Sequence, residues 1–317
     1  MVDTSNEQQE RRAIIDRFGK WMQTHGVTQA EAARLCGVSG STLSQTLSGK
    51  YRGNVGRVAA AMARAMDRAR ARERAPRKPA FAMTSIAEEV FAALETAHTE
   101  GVISLVQGES GLGKTEAARR YAEAEPETAL ITMRPGSSRH RFRGSRTVLL
   151  HVARAVGCAD QVNTATASDG DVLDVLTHAL RGSGRLVVVD EADYMSEAQL
   201  QAARMLHDET GVGIVLLATP AMLERLRKYR SGTLQQVLNR IAYVVHLRRC
   251  TPDDVERLLH PFGLDAATID AAARGAAGVT RRLALGIVAA QRYAARNGGT
   301  ISARTMARAY SQLMPIE

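Results

Sequence analysis

Eight consecutive residues, Gly108, Glu109, Ser110, Gly111, Leu112, Gly113, Lys114 and Thr115, fit the pattern G-x-x-x-x-G-K-[ST] at every position. The pattern has a physical basis. Glycines let successive backbone N–H groups turn inward around an anion. A lysine at the end of such a loop reaches β- and γ-phosphates, and the hydroxyl after it coordinates Mg²⁺. Lys114 and Thr115 are the expected carriers of those roles, with ATP and Mg²⁺ as cofactors. Further along, Leu186-Val187-Val188-Val189-Asp190-Glu191 is an apolar run that ends in two carboxylates. When the first strand of a parallel sheet feeds the glycine loop, such a strand end lies beside the phosphates. Asp190 is then expected to hold Mg²⁺ through water, and Glu191 to polarise the attacking water as general base. The two segments together point to nucleoside triphosphate hydrolysis.

These groups function only if strands and helices hold them. The loop must follow a strand and open a helix. Val102–Gln107 supplies the strand, preceded by a helix expected over about 85–99. Further strand candidates are 129–133, 185–190, 212–219 and 241–247. All are short, rich in Val, Ile and Leu, and separated by helical patterns, as in a parallel sheet covered on both faces. After Thr251 the pattern is helical to the end, in three or four pieces. Aromatics make up only 4% of the chain, so the core must be built from Ala, Leu, Val, Ile and Met, which favours helices. The expected fold is an α/β P-loop NTPase with a parallel five-stranded sheet followed by a helical segment, preceded by an all-α domain; the family resemblance given below implies that the helical segment is a lid.

In that first domain, residues 7–25 read as a helix with Ile14, Phe18, Trp21 and Met22 on one face and Gly26 ending it. Two short helices follow, then a longer one from Val55 to about Arg74. The stretch ARERAPRKPAF, 71–81, holds two prolines and a charge cluster, which marks a boundary. The expected division is 1–62, a helix-turn-helix domain; 63–83, a basic linker; 84–250, the nucleotide-binding core; and 251–317, the lid. Residues 1–80 hold 15 basic and 7 acidic side chains against 27 and 26 in the remainder, so nearly all of the net charge of +9 sits in the first quarter. Such asymmetry suits a polyanion partner.

Val27–Gly49 resembles the helix-turn-helix of phage repressors. Thr28 caps the first helix, Ala33 is small at the crossing, Gly37 permits a left-handed turn, and Val38, Leu43 and Leu47 pack inward. Ser41, Thr42, Ser44 and Gln45 then face outward, with Lys50, Arg52 and Arg57 nearby for phosphate contacts. Neither Arg nor Asn stands on the outward face, so weakly specific DNA binding is expected. The three cysteines, Cys36, Cys158 and Cys250, lack metal-ligand spacing and read as buried, reduced thiols. The first residues are too polar for a signal peptide, and no apolar run is long enough to span a bilayer, so a cytoplasmic protein without membrane contact is expected.

The glycine loop, the Asp-Glu strand end and the elements after them resemble the AAA+ superfamily. The resemblance implies a polar residue at the end of the next strand that orients the water. Thr219 stands there, where Asn is commoner. It also implies an arginine that reaches a neighbouring subunit's ATP, matched by Arg240 in LNRI, and an arginine early in a lid helix, matched by Arg281 in GVTRRL. In ring or filament members the loop after the second strand faces the central channel. Here it carries Arg139, Arg141, Arg143 and Arg146, suited to a DNA backbone. Arg225, Arg227, Lys228 and Arg230 form another basic patch with no evident place. The layout of the whole chain resembles the family of B transposition proteins of Mu-like phages. That likeness implies ATP-dependent self-assembly on double-stranded DNA with little sequence choice, delivery of that DNA to a transposase, stimulation of strand transfer, and release on hydrolysis. Two other readings stay open: a helicase loader or replication initiator, and an ATP-switched helix-turn-helix transcription regulator.

Overall fold

The computed structural model describes residues 4–73, 75–135, 144–163, 166–228, 232–297 and 299–314. The chain divides into two units, Met1–Pro76 and Arg77–Glu317. In the first, α1 (Thr4–Thr24), α2 (Gln29–Cys36), α3 (Gly40–Leu47) and α4 (Val55–Glu73) enclose a core of Phe18, Leu43, Met62 and Met66, each at most 2% exposed. Local chemistry sets the turn. The Thr28 hydroxyl accepts the Glu31 N–H while the Glu31 carboxylate accepts the Thr28 N–H, a reciprocal cap on α2. Gly37, at φ 66°, ends α2 in the left-handed conformation. Residues 63–73 lie in α4, within the helix expected from Val55 to about Arg74. The helical period of Met62, Ala65 and Met66 carries them into the core while the arginines face out.

In the second unit the apolar runs become β1 (Ile103–Gln107), β2 (Thr128–Thr132), β3 (Leu186–Asp190), β4 (Gly213–Ala218) and β5 (Ile241–His246). They form one sheet in the order β2-β3-β4-β1-β5, and every neighbouring pair is parallel. β1, β3 and β4 are buried along their whole length. Alternate residues serve opposite faces: Leu105, Val187 and Leu216 join one core, Val106, Val188 and Leu217 the other. α5 (Ser85–Glu100) and α6 (Lys114–Ala124) cover the second face. α7 (Arg146–Val156), α8 (Asp169–Leu180), α9 (Glu197–Thr210), α10 (Pro220–Lys228) and α11 (Thr233–Leu238) contribute to the first.

The order places β4 between β1 and β3. The loop after β1 and the acids after β3 therefore open on the same carboxyl edge, with the end of β4 between them. The lid follows as α12 (Pro252–Leu259), α13 (Ala266–Ala276), α14 (Thr280–Arg296) and α15 (Ala303–Ser311), around Leu259, Leu283, Ile287 and Met306. Asp254, 2% exposed, ties it to the core: its carboxylate accepts the N–H and hydroxyl of Ser85 at the start of α5. Among the described residues no helix is long and apolar enough to cross a membrane.

Candidate nucleotide site

The loop is shaped by backbone conformations that suit glycine. Gly111 and Gly113 sit at φ 87° and 103°, a region that side chains disfavour. No side chain caps the N-terminus of α6, so the N–H groups of its first turn point toward the loop, where they can meet phosphate oxygens. The Lys114 ammonium donates to the carbonyls of Gly108 (2.6 Å) and Glu109 (3.0 Å). Burial lowers the Lys114 pKa, and the Asp193, Glu191 and Asp190 carboxylates oppose that shift.

A cleft of about 250 Å³ gathers the residues expected from sequence. Ser110, Gly111, Gly113, Lys114 and Thr115 line it from the loop, Asp190 from the end of β3, Glu191 just after it, Thr219 just after β4 and Arg281 from the lid. Asp190 is 3% exposed, whereas Glu191 is exposed and holds a left-handed backbone at φ 55°. For a non-glycine residue that conformation costs on the order of 1 kcal/mol or more. It redirects the chain into the 3₁₀ turn Ala192–Tyr194.

The lid is stitched to the loop. The Arg281 N–H donates to the Gly111 carbonyl (2.8 Å), and the Thr280 hydroxyl to the Leu112 carbonyl (3.0 Å). Glu109, expected only as a loop position, accepts two bonds from Arg249, each 3.0 Å. A second cavity, about 350 Å³, shares the lining residues Gly113, Glu116, Thr280 and Ala284 with the first. Phe81, Ile86, Leu112, Leu258 and Leu283 make it apolar. A cleft lined by charged and polar side chains beside an apolar cavity suits a nucleotide, with phosphates in the first and base in the second. The glycine conformations, the Thr115 hydroxyl and the buried Asp190 carboxylate in one cleft suit ATP with Mg²⁺.

Sequence reasoning missed Asp193, Arg249 and the apolar cavity. Asp193 lines the cleft and takes both donors of Thr219: the N–H at 2.8 Å and the hydroxyl at 2.7 Å. Arg225, one of the unplaced basic residues, donates to the carbonyls of Asp193 (2.9 Å) and Met195 (3.0 Å). Arg227 and Lys228 are exposed, and Arg230 lies outside the described residues. Arg240 is not in the cleft. Its side chain is 52% exposed and donates to Asp208 at 2.9 Å.

Of the basic loop after β2, Arg139, Arg141 and Arg143 lie outside the described residues. Arg146 opens α7, half-buried. In the first unit Ser41, Gln45, Lys50 and Arg52 are exposed and Thr42 is half-buried. The Ser39 hydroxyl caps α3, accepting the Thr42 N–H, and lies 3.0 and 2.9 Å from the Ser41 and Thr42 hydroxyls. Leu43 is fully buried, with Val38 and Leu47 packed against the same core. All three cysteines are free. Cys36 and Cys158 are buried, but Cys250 is only half-buried, because it sits where the chain crosses from β5 to the lid, beside Thr280.

A family model described as an AAA domain matches residues 97–226. The chain is 26% identical over 288 residues to DNA transposition protein B of the Mu-like prophage FluMu of Haemophilus influenzae, covering 90% of this chain and 96% of that protein. It is also 26% identical over 238 residues to the ATP-dependent target DNA activator B of Escherichia phage Mu, covering 75% and 73%. Among solved structures, the ORC2 protein of Aeropyrum pernix superposes with a TM-score of 0.54 at 17% identity, covering 76% of this chain and 71% of that one, a likeness of fold. The cleft at the carboxyl edge of a parallel sheet, the matched domain and these relatives lead to one conclusion: the chain is an ATPase that carries an AAA domain over residues 97–226 and is similar over most of its length to the B transposition proteins of Mu-like phages.

Proposed function

We propose that this protein binds double-stranded DNA in an ATP-dependent manner, assembles on it with further copies of itself, and delivers it to a transposase. The observation that carries this reading is the coincidence, in one chain, of a nucleotide cleft and similarity to target DNA activators across most of its length. The positive first unit and its exposed Ser41, Gln45, Lys50 and Arg52 support a DNA-facing role. Arg139, Arg141, Arg143 and Arg146 are proposed to meet the DNA backbone within the assembly.

In the cleft, Lys114 and the N–H groups at the start of α6 bind the phosphates, and the apolar cavity takes the base. Thr115 and Asp190 would hold Mg²⁺, which when bound neutralises charge on the β- and γ-oxygens. Glu191, exposed at the cleft, accepts a proton from the attacking water. Arg281 carries lid position into the site. Arg240, turned to the surface, is suited to completing a neighbouring protomer's site. Repeating weak phosphate contacts along an assembly yields tight, salt-sensitive binding without base readout.

Electron microscopy and footprinting of the full chain on random duplex with ATP test the proposal. Continuous coverage that Lys114→Ala abolishes and Glu191→Gln prolongs is the expected result. One discrete protected operator, or a chain that ignores DNA with ATP and Mg²⁺ present, would refute it.

A further inference from the structure

Thr219 stands where a polar side chain is expected to orient the attacking water. A hydroxyl has one proton to give. In this structure that proton goes to Asp193 Oδ1 at 2.7 Å, while the Thr219 N–H binds Asp193 Oδ2 at 2.8 Å. The carboxylate is therefore spanned by both donors of one residue. The oxygen of Thr219 is left with only its lone pairs to offer the cleft, so it accepts and does not donate. An acceptor at that point suits a water molecule and repels a phosphate oxygen.

Three features hold Asp193 in place. The left-handed Glu191 turns the chain back after β3. The 3₁₀ turn Ala192–Tyr194 carries the carboxylate toward β4. Arg225 of α10 grips the same turn through the carbonyls of Asp193 and Met195. Thr219 immediately precedes α10, so the acid turn, the end of β4 and α10 close a small ring of bonds beside the nucleotide cleft.

We propose that Asp193 is a positioning residue for hydrolysis: it fixes the Thr219 hydroxyl as a hydrogen-bond acceptor, so that Thr219 and Glu191 accept hydrogen bonds from the two O–H groups of the attacking water and orient it. Nothing in the eight-residue loop or the Asp190–Glu191 pair requires this residue. The inference rests on the ATPase reading of the cleft and names how its water is oriented. No covalent step is added: Thr219 keeps its own proton, Asp193 stays a carboxylate throughout, and Glu191 alone takes a proton from the water.

The test is steady-state ATP hydrolysis by the full chain with Mg²⁺ and duplex DNA. Asp193→Asn places an amide donor where the carboxylate accepts, and Thr219→Val removes the hydroxyl while keeping the backbone N–H. Each is expected to lower kcat about tenfold or more while KM for ATP stays within about threefold, since orientation acts in the transition state and not in binding. The double variant is expected to be no more than about twofold worse than either alone, because the two residues act as one unit. Thr219→Ser is expected to recover most of what Thr219→Val loses. A purely structural role would instead raise KM along with the loss and would not be rescued selectively by serine. The proposal is overturned if Asp193→Asn keeps kcat within about twofold of the wild type, or if the losses of the single variants multiply in the double. Lys114→Ala separates the two levels of inference. If it abolishes turnover while Asp193→Asn does not lower it, only the role of Asp193 falls; if Lys114→Ala itself hydrolyses normally, the reading of the cleft falls with it.

Discussion

Replacing Asp254 by Asn isolates the bond that seats the lid on the core. The side chain is 2% exposed and accepts the Ser85 N–H at 2.7 Å, the Ser85 hydroxyl at 2.6 Å and the Thr251 N–H at 2.9 Å. An amide has one oxygen, so its NH₂ must face at least one of these donors. Each buried donor left without a partner costs about 1–3 kcal/mol, and bonds to a charged acceptor stand at the upper end. A loss of about 3–4 kcal/mol follows for the variant. At about 2–4 °C per kcal/mol for a unit of this size, Tm should fall by roughly 10 °C. The pH dependence has a definite sign. Burial alone would raise the carboxyl, but the bonds from Ser85 and Thr251 outweigh it and hold the group below its ordinary 3.8. A depressed folded pKa means the stabilisation is present above the unfolded value and is lost as pH falls through the folded one. The gap between wild type and variant should therefore stay constant from neutral pH down to about 3.8 and close below it. Melting followed by circular dichroism across that range measures both. A variant within about 2 °C of wild type at neutral pH would refute the assignment of Asp254 as the lid anchor.

Arg249→Ala removes a two-bond pair with Glu109, but the side chains are 44% and 50% exposed. A loss of about 0.5–1 kcal/mol is expected, read as ATP binding weakened about two- to fivefold in a fluorescent-nucleotide titration, with the difference shrinking at high salt. Arg240→Ala should change stability by less than about 1 kcal/mol, since its partner Asp208 is a surface contact. It should nevertheless lower DNA-stimulated turnover about tenfold or more, and mixing it with Lys114→Ala subunits should restore part of the rate if the arginine acts on a neighbour. Leu43→Ala, at a fully buried position of α3, should cost the first unit about 2–4 kcal/mol, visible as faster hydrogen exchange confined to residues before Pro76. Unchanged protection there would contradict the packing.

The chemistry-bearing residues differ in how far the chain alone reveals them. The phosphate loop is a local device: consecutive N–H groups, two left-handed glycines and a helix start occupy one stretch, so Gly108–Thr115 could be read directly. β1, β3 and β4 were legible for a similar reason, since runs buried on both faces lose their polar alternation. Asp190 and Glu191 followed as the end of such a run. The AAA fold, with a lid after the core, was implied by the family resemblance these motifs carry. The helix from Val55 was legible from the period that buries Met62 and Met66, with arginines along its other side. What the tertiary structure decided is contact across sequence. Asp193 meets Thr219 because β3 and β4 are neighbours, a fact of strand order that no local pattern encodes. Arg249 reaches Glu109 because β5 lies beside β1. The apolar cavity is assembled from segments before α5, after the loop and within the lid. Local patterns carry the period and backbone preference of each segment. The pairing of distant groups depends on which segments the burial of apolar faces brings together.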